Sequence, residues 1–165
     1  MKKAFLLLLT GLFYTGLNAL DYSAKKSDNA PNLELSFKLT DEGKKIGEYY
    51  LLIYCDTNKA DTLFVQKGKV SYLYLEYNHN YTLRYVKEGY RDRVLIVRTD
   101  VSGVKRLRDF EFDFEISLIK ENEPANTVAD LPVGIVHYDS HKKKFDYSRK
   151  YHKEIRQRNH KSKNL

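Results

Sequence analysis

Phe110, Phe112, Phe114, Ile116 and Leu118 alternate strictly with Glu111, Asp113, Glu115 and Ser117. An extended strand turns successive side chains to opposite faces, so this stretch puts its large apolar groups on one side and its carboxylates on the other. A helix would scatter both sets around its axis. The pattern therefore predicts a β-strand with core on one face and water on the other. Slipping it by one residue would expose three phenylalanines, which pins its register.

The same period recurs upstream, where Leu33, Leu35, Phe37 and Leu39 alternate with Glu34, Ser36 and Lys38. Between these two runs, residues 68–97 read as a meander of three strands. Its turns are Asn78-His79-Asn80 and Glu88-Gly89, residue types that tolerate turn conformations. Further strands are predicted over 48–55 and 62–65, with turns at Asp41-Glu42-Gly43-Lys44 and Asp56-Thr57-Asn58-Lys59. About seven strands at roughly ten-residue intervals, with no helical period between them, predict an all-β antiparallel sandwich over 33–120. Helices do not alternate with the strands, which argues against a parallel α/β sheet.

The first 19 residues stand apart. Lys2-Lys3, the apolar run Ala4 to Leu17, and the small residue closing Leu17-Asn18-Ala19 have the make-up of a secretory signal peptide. The run is short for a bilayer span, which takes about 20 residues. The expectation is an exported protein (periplasmic, outer-membrane-associated or secreted) that is not integral to the membrane after cleavage. Polar residues 20–32 read as a flexible leader. The single cysteine, Cys55, excludes an internal disulfide, so the core alone must hold the fold. Within YYLLIYCD, Cys55 is expected to act as a small buried apolar group.

Charge is unevenly placed. Residues 141–165 hold ten Lys/Arg against Asp146 and Glu154, a net +8. Lys2 and Lys3 add +2 to a chain total of +7, which leaves −3 for residues 20–140. A mildly acidic body with a strongly basic end points to a charged contact segment rather than a basic domain. Residues 121–165 read as a linker and basic C-terminal extension, with brief extended segments at 131–138 and 145–147 on either side of a basic turn at 141–144. Tyr147, Tyr151 and Ile155 form a narrow apolar stripe suited to a short helix within it.

The segments Gly68-Lys69-Val70, Tyr81-Thr82-Leu83 and Lys87-Glu88-Gly89-Tyr90 follow a familiar pattern. With the surrounding strands and turns, residues 33–98 resemble the carboxypeptidase regulatory-like domain family of exported bacterial proteins. The resemblance implies a transthyretin-like, immunoglobulin-like β-sandwich. That family carries no catalytic residues of its own, so the resemblance implies an accessory, docking or surface-binding module.

No assembly of residues demands chemistry. There is no nucleophile elbow, P-loop or dinucleotide fingerprint. The ladder Glu111, Asp113, Glu115 is expected to be a solvated face. His137 and His141 lie in a turning basic segment without a zinc-helix pattern, and Asp56, Asn58 and Asp61 lack the calcium-loop spacing. No catalytic, cofactor-binding or metal-binding residue and no cofactor is assigned.

What remains is surface. Tyr72, Tyr74, Tyr81 and Tyr85 are candidates for an exposed aromatic face, in a wider set with Tyr49 and Tyr77. Lys105, Arg106 and Arg108 form one basic patch. Lys142, Lys143, Lys144, Arg149, Lys150, Lys153, Arg156 and Arg158 form a second. The expected function is that of an exported, non-enzymatic interaction module of the envelope or extracellular space. Its expected partner is another envelope or secreted protein or an anionic surface, not nucleic acid. The alternative is a glycan- or small-ligand-binding domain that uses the tyrosine face.

Overall fold

A computed structural model describes residues 30–66, 71–123 and 131–162. The predicted signal peptide 1–19, most of the leader, Gly68-Lys69-Val70 and most of the linker lie outside the described residues. The chain runs β1 (Leu33–Asp41), β2 (Lys44–Lys45), β3 (Tyr49–Cys55), β4 (Asn58–Val65), β5 (Ser71–Leu75), β6 (Asn80–Val86), β7 (Arg93–Arg98), β8 (Phe110–Ser117), β9 (Gly134–Asp139), β10 (Lys144–Tyr147) and α1 (Arg149–Ser162). No described helix is long and apolar enough to cross a membrane.

The strands form an all-β sandwich. In the smaller sheet β1 is central, with β5 and β2 antiparallel along one side and β8 parallel along the other. The larger sheet has the order β10-β9-β7-β6-β3-β4. Each strand alternates as its sequence requires. Leu33, Leu35, Phe37, Leu39, Leu73, Leu75, Phe110, Phe114 and Ile116 face inward from the small sheet. Tyr49, Leu51, Ile53, Leu63, Leu83, Tyr85, Leu95, Val97 and Val136 meet them from the large one.

Three features differ from the sequence expectation. There are ten described strands, not about seven. Two pairings are parallel, β1 with β8 and β7 with β9. The sandwich also does not end at Lys120, because β9 and β10 extend the large sheet beyond β7. The reason is packing. Gly134, Val136 and Phe145 are buried, and the Phe145 ring lies 5.7 Å from Phe110 and 6.3 Å from Tyr77. Without the C-terminal hairpin that end of the core would lie open to water.

Gly134 is needed at its position. A Cβ there would fall 2.7 Å from Cε1 of Tyr147, closer than atoms pack. Tyr77, in the turn between β5 and β6, fixes the same end of the core. Its hydroxyl lies 2.7 Å from the carbonyl oxygens of both Asn32 and Arg108, which tethers the start of β1 to the approach to β8.

Phe145→Ala tests whether the hairpin belongs to the core. Truncating a buried phenylalanine is expected to cost about 3–5 kcal/mol, read as a lower urea midpoint. A loss under about 1 kcal/mol would mean the hairpin is peripheral.

Candidate functional site

The C-terminal extension supplies the most concentrated chemistry on the surface. β9 and β10 form a hairpin whose turn is held by Asp139. Its Oδ1 accepts from the backbone N–H groups of His141 (2.9 Å) and Lys142 (3.1 Å). Ser148 then caps α1, its Oγ accepting from the N–H of Tyr151 at 3.3 Å. Its own N–H donates to the carbonyl of Ile135, which ties the helix start to β9. The Tyr151 hydroxyl donates to the carbonyl of Pro132 at 2.6 Å, and the Tyr147 ring packs on Phe112 and His152. The helix is therefore docked rather than trailing.

Docking opens a cleft of about 670 Å3 between hairpin and helix, lined by Lys142, Asp146, Tyr147, Arg149, His152, Lys153, Arg156 and Gln157. Positions 149, 152, 153 and 156 follow helical spacing, so their side chains share one face. Four of the predicted basic residues, Lys142, Arg149, Lys153 and Arg156, thus converge with His152. Asp146 is the carboxylate among them, and it pairs with Lys142. The first helical turn has no acidic residue, so the cations reinforce the positive N-terminal end of the helix instead of offsetting it. Like charges at this spacing cost about 0.2–0.5 kcal/mol per pair.

The other predicted residues are dispersed. Lys143, Lys144, Lys150 and Arg158 are exposed outside the cleft lining. Lys105, Arg106 and Arg108 are exposed in the loop before β8, where the Arg108 guanidinium sits 5.1 Å from the centre of the Phe110 ring. The expected tyrosine face is divided. Tyr72 (43 % exposed) and the half-buried Tyr74 lie on the outer side of the small sheet, beside Ser36 and Glu34 of β1. Tyr81 and Tyr85 point the other way, into the core, with 7 % and 0 % exposure. Tyr49 and Tyr77 are buried as well. Burial pushes the Tyr49 hydroxyl pKa up to about 12. The carboxylate ladder of β8 is exposed, with Glu115 held by Lys38 (2.7 Å) and by the Thr40 hydroxyl (2.9 Å).

Two outward features went unread in the sequence. Tyr50 and Phe64, each 51 % exposed, pair across β3 and β4 with ring centres 5.1 Å apart. An open groove of about 810 Å3 crosses the outer face of the large sheet, with Tyr54, Thr82, Arg84, Val94, Tyr90 and Asp92 among its lining. Cys55 is half-buried instead of fully buried, and it sits beside Asp56 and His79. No family model, curated protein or solved structure matches this chain.

The hairpin carboxylates give the cleft a pH response. Lys142 is the main cause in both cases, through its ammonium at Asp146 and its backbone N–H at Asp139, and both carboxyl pKa values lie below the ordinary range. A depressed pKa contributes stability above the unfolded-state value, and that contribution is lost as pH falls through the folded-state value. Hydrogen exchange of the β10 and α1 amides is expected to accelerate below about pH 4. Unchanged protection down to about pH 2 would show that these contacts do not hold the hairpin.

Proposed function

We propose that this protein is an exported, non-enzymatic interaction module that binds an acidic segment of a partner protein in its C-terminal basic cleft. The carrying observation is the convergence of Lys142, Arg149, His152, Lys153 and Arg156 around one concave cleft on a docked helix. A carboxylate-bearing segment would relieve the mutual repulsion of Lys142, Arg149, Lys153 and Arg156. A concave site suits a projecting chain better than a flat bilayer. The signal-like first 19 residues and the resemblance to carboxypeptidase regulatory-like domains support the exported, accessory part of this reading.

The alternative, a glycan- or small-ligand-binding domain, moves to a different place. Burial of Tyr81 and Tyr85 removes half of the tyrosine face it was to use. The groove floored by Tyr54 and Thr82 and flanked by Tyr90, Arg84 and Asp92 combines rings with polar groups, as sugar sites do.

A fluorescent Glu-rich peptide separates these readings. Wild type is expected to bind it with an affinity that falls steeply with salt, since screening shortens the reach of charge to about 8 Å at physiological ionic strength. Charge reversal at Lys153 and Arg156 together is expected to weaken binding at least about tenfold, equivalent to about 1.4 kcal/mol, and Asp146→Asn to strengthen it. Indifference to both changes would overturn the cleft. Capture by anionic vesicles without peptide binding would reassign it to a membrane surface. Glycan binding lost in Tyr54→Ala would favour the groove.

A further inference from the structure

We propose that the end of the sandwich opposite the β6–β7 turn carries a divalent transition-metal site, formed by Cys55, Asp56 and His79 and suited to Zn2+. It is independent of the basic cleft. Cys55 ends β3, Asp56 begins the β3–β4 turn, and His79 lies in the turn before β6. Their ligand atoms, a thiol sulfur, a carboxylate oxygen and an imidazole nitrogen, all lie within 4.8 Å of one another. The Nδ1 of His79 is 2.6 Å from Oδ2 of Asp56, and the Cys55 Sγ is 3.8 Å from the same oxygen.

Backbone contacts hold these donors in place. Asp56 N–H donates to the carbonyl of Asn80 at 2.9 Å. The Asn80 N–H donates back to Asp56 Oδ1, also at 2.9 Å, which leaves Oδ2 directed at His79 and Cys55. The backbone of His79 is clamped to the buried Thr99, its N–H donating to the Thr99 hydroxyl at 3.0 Å and its carbonyl accepting from the Thr99 N–H at 2.9 Å. Asp56 and Thr57 both take left-handed backbone angles, φ 46° and 77°, in a two-residue hairpin turn. Positive φ at both central residues is the geometry a two-residue hairpin turn requires, and it sets where the Asp56 side chain leaves the backbone.

The donor set selects the ion. One thiolate, one imidazole and one carboxylate suit zinc and its borderline neighbours, whereas calcium and magnesium prefer oxygen throughout. Tetrahedral zinc, with bonds of about 2.3 Å to sulfur and about 2.0–2.2 Å to nitrogen and oxygen, needs neighbouring donors about 3.4–3.6 Å apart. The sulfur–oxygen distance is already close to this. The His79–Asp56 contact would have to open by a little under about 1 Å, which two half-exposed side chains can accommodate. Binding would replace that contact with two metal bonds: the Nδ1 proton now held between His79 and Asp56 would move to Nε2, freeing Nδ1 to ligate, and the Cys55 proton would be released to solvent. The fourth position would fall to water, because the site faces outward.

Titration of the reduced protein with Co2+ tests the proposal. One equivalent is expected to produce the thiolate-to-cobalt charge-transfer absorption, and Zn2+ is expected to displace it. Cys55→Ser is expected to abolish the absorption, and His79→Gln to weaken binding at least about tenfold. His137→Gln with His141→Gln should leave it unchanged. Circular dichroism and the metal-free thermal midpoint identify any variant that fails to fold, and either Cys55→Ser or His79→Gln alone decides the matter. No thiolate absorption in the folded wild type would overturn the site. So would unaltered cobalt affinity in a folded His79→Gln.

Discussion

A continuous run of aromatic contacts holds the two sheets in register. It passes from Tyr49 to Tyr85, from Tyr85 to Phe37 across the sandwich, and on to Phe114, Phe112, Tyr147 and His152. Successive ring centres lie 5.2–6.3 Å apart. Offset and edge-on pairs of this kind contribute about 0.5–1.5 kcal/mol each beyond the area they bury. In a chain with one cysteine, this seam does the joining that a disulfide does in other small sandwiches. It also reaches the helix, so the surface that carries the basic cleft is mechanically continuous with the core.

Much of this was legible in the residues. The alternation in 33–39 and 110–118 specified both strands and their inward faces, because a period of two has one solution when one face is apolar. The same logic applied to Tyr81, Leu83 and Tyr85 would have put those tyrosines inside, since Arg84 and Thr82 occupy the opposite parity. The chemical type of tyrosine suggested a surface and outweighed its position. Strand partners were less legible. Nothing in Leu33 to Asp41 names Phe110 to Ser117 as its neighbour, because pairing is decided by the whole assembly. The extended segments on either side of the 141–144 turn were legible, but not their place in the sandwich, because Val136 and Phe145 are few among lysines that lie in the turn and on the outer side. The trio Cys55, Asp56 and His79 was invisible for a geometric reason: two separate turns must meet before its members become neighbours.

Charge divides along the architecture. The outer face of the small sheet presents Glu34, Glu111, Asp113 and Glu115 around Lys38, while the opposite pole of charge belongs to the hairpin and helix. Acidic and basic side chains thus gather on different elements of the same molecule. Its field would orient an approaching charged partner before contact, an effect on association rate more than on final affinity.

The parallel ladder between β1 and β8 has a consequence in time. It aligns Leu33 with Phe110 and continues to Thr40 with Ser117, so the first described strand waits for one synthesised far later. A chain emerging from its N-terminus holds β1 with the flank that pairs β8 bare until residue 117 is available. Contacts between such distant segments slow folding, and β-rich topologies of this kind complete in milliseconds to seconds. Val136 and Phe145 join the core later still, and a nascent chain interrupted before β8 would carry an adhesive edge.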